Sequence, residues 1–320
     1  MKKLISLLNV LVLLAVNIAF ADGEPTRVSA LIGPTGMGMV KMMADEENSG
    51  AYAFSLASSA DFVTPGLVRG EIDIACVPAN LASVLCQRTG GNVQALAINT
   101  LGVLYIVERG ETVKTVSNLK GRTVYASGKG ATPEYALNYL LTANGLDPER
   151  DVHIEYKNEH AECLSALLTN KKAVAMLPQP FVTVARSVRN DLRVALDLNE
   201  EWEKLREDDG NPSALITGVV IARRAFAEEH PDKIADFLSA YESSVEFVNA
   251  NPDEAAKLVG RYGIVAEDVA REAIPFCNIV CIRGEEMKTM LSGYLAVLCQ
   301  QNPEAVGGQV PDESFYLIDG

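Results

Sequence analysis

Short apolar runs alternate with helix-type runs along the chain from Thr26 onward. RVSALIGP and AYAFSLAS have the length and the residues of β-strands, whereas TGMGMVKMMADEE and SADFVTPGLVRG have helical character. Strands that alternate with helices are typical of a parallel sheet covered by helices on both faces. The pattern therefore predicts an α/β protein with mostly parallel sheets.

A second α/β unit begins at LKGRTVYASGKGATPEYALNYLLTANGL, which predicts a strand, a glycine-rich turn and a helix. Further strands are expected in HIEYKN, AVAMLPQP, LRVALDL and SALITGVVIARRAF, and the remainder is mostly helical. This order predicts two lobes, one inserted into the other, with crossings near Glu108 and Thr217 that act as a hinge. Lobe 1 would comprise residues 22–107 and 217–320, and lobe 2 residues 108–216.

The first residues have the pattern of a secretory signal. Lys2 and Lys3 precede an apolar run that ends at Phe20, and small residues precede a cleavage point before Asp22. The run is interrupted by polar residues and is shorter than the roughly 20 apolar residues of a spanning helix. We therefore expect residues 1–21 to be a cleaved signal peptide and the protein to be periplasmic.

The charge of the chain narrows the classes of partner. The formal net charge is −14 for the whole sequence, and removal of residues 1–21 takes away two lysines and no acidic residue. Nucleic acids and anionic lipids are therefore excluded as expected partners. A small molecule remains the expected partner, bound by a monomer.

The sequence offers no arrangement of residues typical of a metal site or a catalytic site. Cys277 and Cys281 are the only close pair of cysteines, and we expect a local disulfide between them. The chain has three histidines and none lies near that pair, so no metal and no other cofactor is expected. His160 and Cys163, three residues apart, could form a base and a thiolate, but this spacing is common by chance.

Turns that join a strand to a helix are the candidate ligand sites. Backbone N–H groups at the start of a helix have no partner within the helix and can bind polar groups. In doubly wound sheets the ligand lies beyond the carboxyl ends of the strands, where these turns are found. The expected ligand-binding residues of lobe 1 are Pro34, Thr35, Gly36, Met37, Ser58, Ser59, Asn80 and Thr100, and those of lobe 2 are Gly128, Gly130, Thr132 and Gln179.

Several of these residues also have a purely structural interpretation. Ser59 and Asn80 could cap the helices that follow them, and Thr132 is a suitable N-cap with Pro133 at the first helical position. In GPTGMGM the glycines let a backbone approach a solute, and Met37 would provide an apolar wall. The spacing of these glycines differs from that of a dinucleotide-binding turn.

Phrases throughout the chain resemble a known receptor family. IGPTGMGMVKMM, GEIDIACVPANLASVL, LAINTLGVLYIVERG, AMLPQPFVTVA and NPEAVGGQVPDESFY are similar to sequences of the type II periplasmic-binding-protein family. The most similar branch serves ABC importers for nitrate, taurine, alkanesulfonates and thiamine-pyrimidine precursors.

This resemblance implies a two-lobed receptor that closes over a solute and delivers it to an ABC transporter permease. By position it implies binding turns at Thr35, Gly36, Ser58, Asn80, Thr100, Gly130, Thr132 and Gln179. Members with an LPEPF-like phrase carry an acid where this chain has Gln179, and no arginine lies in these turns, so an aromatic or heterocyclic solute competes with a sulfonate. Two alternatives are an enzyme like the thiamine-pyrimidine synthases and a ligand-sensing module for a signalling partner.

Overall fold

The computed structural model describes residues 24–209 and 213–318. The predicted signal peptide, residues 1–21, lies outside the described residues and stays a prediction. Within these ranges the chain forms two β-sheets, one of six strands and one of five, each flanked by helices. Two α/β units were expected from the alternating pattern, and this expectation is confirmed.

The six-stranded sheet contains the first strands of the chain and two strands from its later part. Its strands are β1 Thr26–Leu31, β2 Tyr52–Ala57, β3 Ile74–Pro78, β4 Val93–Leu101, β10 Ile216–Arg223 and β11 Ile279–Ile282. Their order is β11-β4-β10-β3-β1-β2. β1 pairs in parallel with β2 and β3, whereas β10 runs antiparallel to β3 and β4.

The five-stranded sheet is also mixed. Its strands are β5 Leu104–Arg109, β6 Thr123–Ser127, β7 His153–Lys157, β8 Val174–Pro178 and β9 Leu192–Asp197, in the order β7-β6-β8-β5-β9. β6 is parallel to β7 and β8, and β5 is antiparallel to β8 and β9. The expected parallel pairing thus holds for three strands of each sheet, because β5 and β10, the strands that follow the two crossings, run antiparallel to their neighbours.

The chain passes into the second sheet earlier than the sequence pattern indicated. LGVLYIVE was assigned to the first lobe, but β5 makes all its pairings within the five-stranded sheet. The outward crossing is therefore at Gly102 and Val103, between β4 and β5, and not near Glu108. The return is at β10, as expected from the position of Thr217. Apart from this crossing, the division of the chain into residues 22–107 with 217–320 and residues 108–216 stays a prediction.

The helices fill both faces of each sheet. In chain order they are α1 Pro34–Met37, α2 Val40–Asp45, α3 Ala60–Arg69, α4 Ala79–Arg88, α5 Thr132–Ala143, α6 His160–Thr169, α7 Phe181–Val188, α8 Leu198–Asp209, α9 Arg224–Glu229, α10 Pro231–Ala250, α11 Pro252–Arg261, α12 Glu267–Ala273 and α13 Gly284–Gln301. The expected single helix after β1 is divided into α1 and α2. Ser244 of α10 supports the break, because its Oγ donates to Gly38 O over 2.7 Å and accepts from Met42 N over 3.1 Å.

One apolar core extends across both sheets on one side of the molecule. Trp202 of α8 is fully buried there, and its ring centroid lies 4.3 Å from that of Tyr139 on α5 and 5.7 Å from that of Tyr294 on α13. Its Nε1 donates to Ser213 Oγ over 3.1 Å, so the buried indole N–H is satisfied. The two units are thus packed together along this side.

The expected disulfide between Cys277 and Cys281 is wrong, since neither cysteine forms a disulfide bond. Cys277 is fully buried, and its sulfur lies 3.9 Å from the sulfur of Met37. In residues 24–209 and 213–318, no helix is long and apolar enough to cross a membrane. Across those same ranges, no group of three or more side chains of the metal-binding types is placed to hold a metal ion.

Candidate functional site

A cavity of about 480 Å³ lies between the two sheets. From the six-stranded sheet it is reached by the carboxyl ends of β1, β3 and β4 and by the start of β10. From the other sheet it is reached by the end of β8 and the starts of α6 and α7. The residues that line it are Leu31, Ile32, Gly33, Pro34, Thr35, Pro78, Thr100, Val103, His160, Pro178, Gln179, Pro180, Phe181, Val184, Thr217 and Val265.

Three threonines form the polar part of the wall on the six-stranded side, which we call the threonine wall: Thr35, Thr100 and Thr217. Thr35 Oγ1 donates to Leu31 O over 2.9 Å, and Thr217 Oγ1 donates to Leu101 O over 2.6 Å. Thr100 Oγ1 donates to Asn99 Oδ1 over 3.1 Å. Each hydroxyl proton of the threonine wall is therefore already engaged within the protein.

Gln179 provides a polar group on the opposite side. It lies between Pro178 and Pro180 and is 5% exposed. Its Oε1 accepts from the backbone N of Thr183 over 3.3 Å and from Thr183 Oγ1 over 3.0 Å. The side-chain oxygen thus caps the first turn of α7 and fixes the orientation of the amide.

Among the described residues, His160 is the only ionisable side chain that lines the cavity. Its Nδ1 lies 2.6 Å from Ser127 Oγ, and its ring centroid is 5.7 Å from that of Phe181. Burial lowers the pKa of His160 below its ordinary value, and the carboxylate of Glu159 opposes this effect only in part. A neutral imidazole is the consequence at neutral pH.

Four of the expected ligand-binding residues line this cavity, namely Pro34, Thr35, Thr100 and Gln179. Two neighbours in the same turn do not. Met37 is completely buried, and Gly36 packs so closely on β1 that a Cβ there would lie 2.8 Å from Leu31 O. The expectation that Met37 forms an apolar wall is wrong because α1 turns that side chain into the core. Gly36 serves the packing of α1 on β1 and is not part of the cavity wall.

Asn80 and Thr132 lie together in the buried contact between the two units and outside the cavity wall. Thr132 Oγ1 donates to Asn80 Oδ1 over 3.3 Å, and Tyr294 OH donates to Thr132 Oγ1 over 3.1 Å. Thr132 is the first residue of α5 and makes no N-cap hydrogen bond, so its expected role as N-cap is wrong; Ala131 occupies that position. Pro133 is accordingly the second helical residue.

The remaining expected residues also lie outside the cavity wall. Ser59 is the N-cap of α3 and accepts from Asp61 N over 3.2 Å, as its structural interpretation predicted, and Ser58 before it is exposed. Gly128 and Gly130 have φ of 79° and 76°, values that favour glycine. The backbone N of Gly130 donates to Glu134 Oε2 over 2.6 Å, so this turn is organised by its own helix.

The expected ligand-binding residues did not include His160, Phe181 and Thr217, which also belong to the wall. Phe181 directly follows the AMLPQP phrase, and His160 begins a helix after β7, so both had a positional signal. Thr217 had none, because it lies inside an apolar strand and only the pairing of β10 with β4 brings it to Thr100.

The arrangement does not favour catalysis by His160 and Cys163. Cys163 is completely buried, and burial raises the pKa of its thiol to about 11. A reactive thiolate needs a lowered pKa and access to a substrate. The hydrogen-bond neighbour of His160 is Ser127 instead.

Comparison with known proteins gives a family match over most of the chain. A family model described as "ABC transporter, phosphonate, periplasmic substrate-binding protein" matches residues 53–269. Among curated proteins, the tetrathionate sensor histidine kinase TtrS of Salmonella typhimurium is 28% identical over 136 residues. That alignment covers 42% of this chain and spans only about a fifth, 21%, of the length of the kinase.

The same fold is found in solved structures of an ABC transporter protein and of a sulphonate binding protein. An ABC transporter protein from Parabacteroides distasonis matches with a TM-score of 0.78 and 24% identity, over 93% of this chain and 100% of the other. The periplasmic aliphatic sulphonate binding protein SsuA from Escherichia coli matches with a TM-score of 0.70 and 16% identity, over 91% and 92% of the two chains. These likenesses confirm the expected two-lobed type II fold.

Proposed function

The chain belongs to the phosphonate family of periplasmic substrate-binding proteins of ABC transporters, and from this premise we propose that it captures a small organic or anionic solute and delivers it to the permease of an importer. The observation that carries the proposal is the cavity between the two sheets, because both units contribute to its wall. A ligand held between two units favours the form in which they are close together. The permease can then recognise the loaded protein by its closed shape.

Contacts between the units would stabilise that closed form. Tyr105 of β5 donates through its hydroxyl to Phe276 O over 2.8 Å on the side of the six-stranded sheet. Thr132 and Asn80 make a second link on the side of α4 and α5. Rotation at the crossings between β4 and β5 and before β10 would break both links and admit the solute.

The residues proposed to bind the solute are those that line the cavity with polar or aromatic groups. They are Thr35, Thr100, Thr217, Gln179, His160 and Phe181, together with Pro34 in the turn that contains Thr35. We assign no catalytic step, no metal and no cofactor to the protein. We also propose that the protein is a secreted, periplasmic monomer that binds no nucleic acid. The net charge of −14 supports the last point.

A thermal-shift screen tests this function directly. Purified protein would be melted alone and with nitrate, alkanesulfonates, alkylphosphonates, pyrimidines and aromatic acids and amides. A solute that binds only the folded form must raise Tm. Phe181→Ala should reduce the shift of any active compound, whereas Ser165→Ala, an exposed change on α6, should not. If no compound raises Tm and native mass spectrometry of the purified protein finds no bound small molecule, the receptor function is refuted.

A sensory role is a second candidate, favoured by the similarity to part of the sensor kinase TtrS. In that role the closed form would be recognised by a signalling protein and not by a permease. Solute uptake by cells that lack this protein distinguishes the two functions. Lost uptake supports import, whereas unchanged uptake combined with a lost transcriptional response to the solute supports sensing.

A further inference from the structure

We propose that the solute of this cavity is an uncharged molecule that presents N–H or O–H donors to the threonine wall and an acceptor to Gln179. This inference rests on the proposed receptor function and specifies the class of solute. The proposed solute differs from the phosphonate named in the description of the family, because a phosphonate is an anion whose oxygens accept hydrogen bonds.

The donor requirement follows from the hydroxyl protons of the threonine wall. A threonine hydroxyl has one proton to donate and two lone pairs that accept. The protons of Thr35 and Thr217 point to the backbone carbonyls Leu31 O and Leu101 O, at 2.9 and 2.6 Å. A carbonyl oxygen cannot donate, so the direction of both bonds is fixed. Toward the cavity these two side chains can only accept.

Thr100 repeats the arrangement with a side-chain acceptor. Its hydroxyl donates to Oδ1 of Asn99, which is completely buried behind the wall. With its oxygen directed to Thr100, Asn99 holds the third hydroxyl in the accepting orientation.

The acceptor requirement follows from Gln179. Its Oε1 accepts twice from Thr183, once from a backbone N–H that can only donate. The amide oxygen is therefore the atom bound to α7, and the nitrogen is the group that remains for the cavity. An amide nitrogen donates and does not accept. The two walls thus have opposite hydrogen-bonding character.

The absence of charge in the wall argues against an ionic solute. In the part of the chain that the structure describes, no residue that lines the cavity is Asp, Glu, Lys or Arg. His160 is neutral at neutral pH because burial lowers its pKa. Burying an ion without an opposite charge is costly, and the oxygens of an anion would face the lone pairs of Thr35 and Thr217. An uncharged solute avoids both penalties.

The rest of the wall fits a flat ring. Leu31, Val103, Phe181, Val184 and Val265 contribute apolar surface, and the volume of about 480 Å³ is within the usual range for small-molecule sites. A ring with an amide edge combines apolar faces with a donor and an acceptor. Nicotinamide and benzamide are suitable probes of this chemistry.

The experiment measures Kd by calorimetry for two sets of matched probes. The first set is nicotinamide, nicotinate and methyl nicotinate, which share a ring. Nicotinamide is neutral and has N–H donors, nicotinate is an anion, and methyl nicotinate is neutral and has no hydrogen-bond donor. The second set is benzamide, benzoate and methyl benzoate. Methylphosphonate and ethanesulfonate represent the anions of the family. We expect each amide to bind at least about tenfold more tightly than its carboxylate and its ester, as the loss of a hydrogen-bond partner predicts.

Variants of the threonine wall separate recognition from folding. Thr217→Val removes the accepting oxygen and should weaken amide binding about tenfold while leaving the ester unchanged. Thr217→Ser keeps the hydroxyl and should restore amide binding, and Ser165→Ala controls for unrelated effects. The proposal is overturned if a carboxylate, methylphosphonate or ethanesulfonate binds more tightly than both amides, and the receptor function then still holds. If none of these probes binds and no compound raises Tm in the thermal-shift screen, the proposal fails together with the receptor function. If anions give the largest Tm increases in that screen, the proposal alone is overturned.

Discussion

Thr132 Oγ1 donates to Asn80 Oδ1 over 3.3 Å and so joins α5 of one unit to α4 of the other. Both side chains are buried, with exposed fractions of 4% and 8%. Asn80 Nδ2 in turn donates to Ala305 O over 3.3 Å. Two residues from distant turns thus form a polar link inside the buried contact between the two units.

Thr132→Val should lower the free energy of unfolding by about 1–3 kcal/mol, because the buried hydroxyl of Tyr294 and the oxygen of Asn80 would lose their partner. Urea denaturation followed by tryptophan fluorescence measures the change, since Trp202 packs against Tyr294. Thr132→Ser retains the hydroxyl and should stay within about 0.5 kcal/mol of the parent protein. An equal loss in both variants would show that the methyl group, not the hydrogen bond, is what matters.

Gly218→Ala should weaken solute binding as well as stability. A Cβ at Gly218 would collide with Asn99 Oδ1 and lie 2.8 Å from Cγ2 of Thr35, so the threonine wall must shift. Overpacking of this kind costs about 1–3 kcal/mol. Gly293→Ala, with a Cβ 3.1 Å from the backbone of Ser213, introduces crowding away from the cavity and should leave Kd unchanged. Comparable Kd values for the two variants would argue against a direct role of Gly218 in shaping the wall.

The buried thiols should be inert in the folded protein. Burial raises the pKa of Cys76 and Cys277 to about 12, so only on the order of one thiol in ten thousand is ionised at pH 8. Labelling by an aromatic disulfide reagent at this pH should therefore spare both until the protein unfolds. In denaturant without reductant, all six cysteines should react. A count of four after unfolding would indicate a disulfide that the structure does not contain.

Stability should decrease in acid through Asp73, which links β1, β3 and β10. Burial alone would raise the pKa of this carboxyl, but hydrogen bonds from Arg27 and Arg223 outweigh it and lower the pKa. A carboxyl whose pKa is lower in the folded than in the unfolded chain stabilises the fold above its unfolded pKa. This contribution is lost as the pH falls through the folded value.

Asp73→Asn should reduce the free energy of unfolding at pH 7 by roughly 2–3 kcal/mol, less than for a fully buried pair because both arginines are partly exposed. Urea midpoints measured from pH 7 to pH 3 test this expectation. The parent protein and the variant should start to converge as the pH falls below the ordinary carboxyl pKa of 3.8, and the difference should shrink further toward the lowered pKa of the folded state. A constant difference over the whole range would mean that the ion pairs are not the source of the effect. Glu71→Gln is the control, because it removes an exposed carboxylate that is paired with Arg69.

The alternation of strands and helices could be predicted from the sequence because each element has its own hydrophobic periodicity and its own end signals. Gly128 and Gly130 act locally in a turn, and Ser59 acts locally as an N-cap, so these roles could be anticipated from the sequence. Thr35, Thr100 and Gln179 were found as parts of the cavity because the ends of strands are marked by the residues that follow them.

The assignment of β5 to a sheet and the place of Thr217 could not be found in this way. Both depend on which strands pair, and pairing is decided by contacts between segments that are far apart in the chain. That the side chain of Met37 is buried in the core could likewise not be found, because it depends on how α1 packs.

The sequence by itself determined the fold class, the family and some of the turns that line the cavity, since these follow from local patterns of apolar, small and polar residues. Only the tertiary structure decided that Asn80 and Thr132 meet inside a buried contact and that the hydroxyls of Thr35 and Thr217 are turned toward carbonyls. The physical reason is that a side chain's hydrogen-bonding role depends on its neighbours in space. Those neighbours exist only once the two units have packed together.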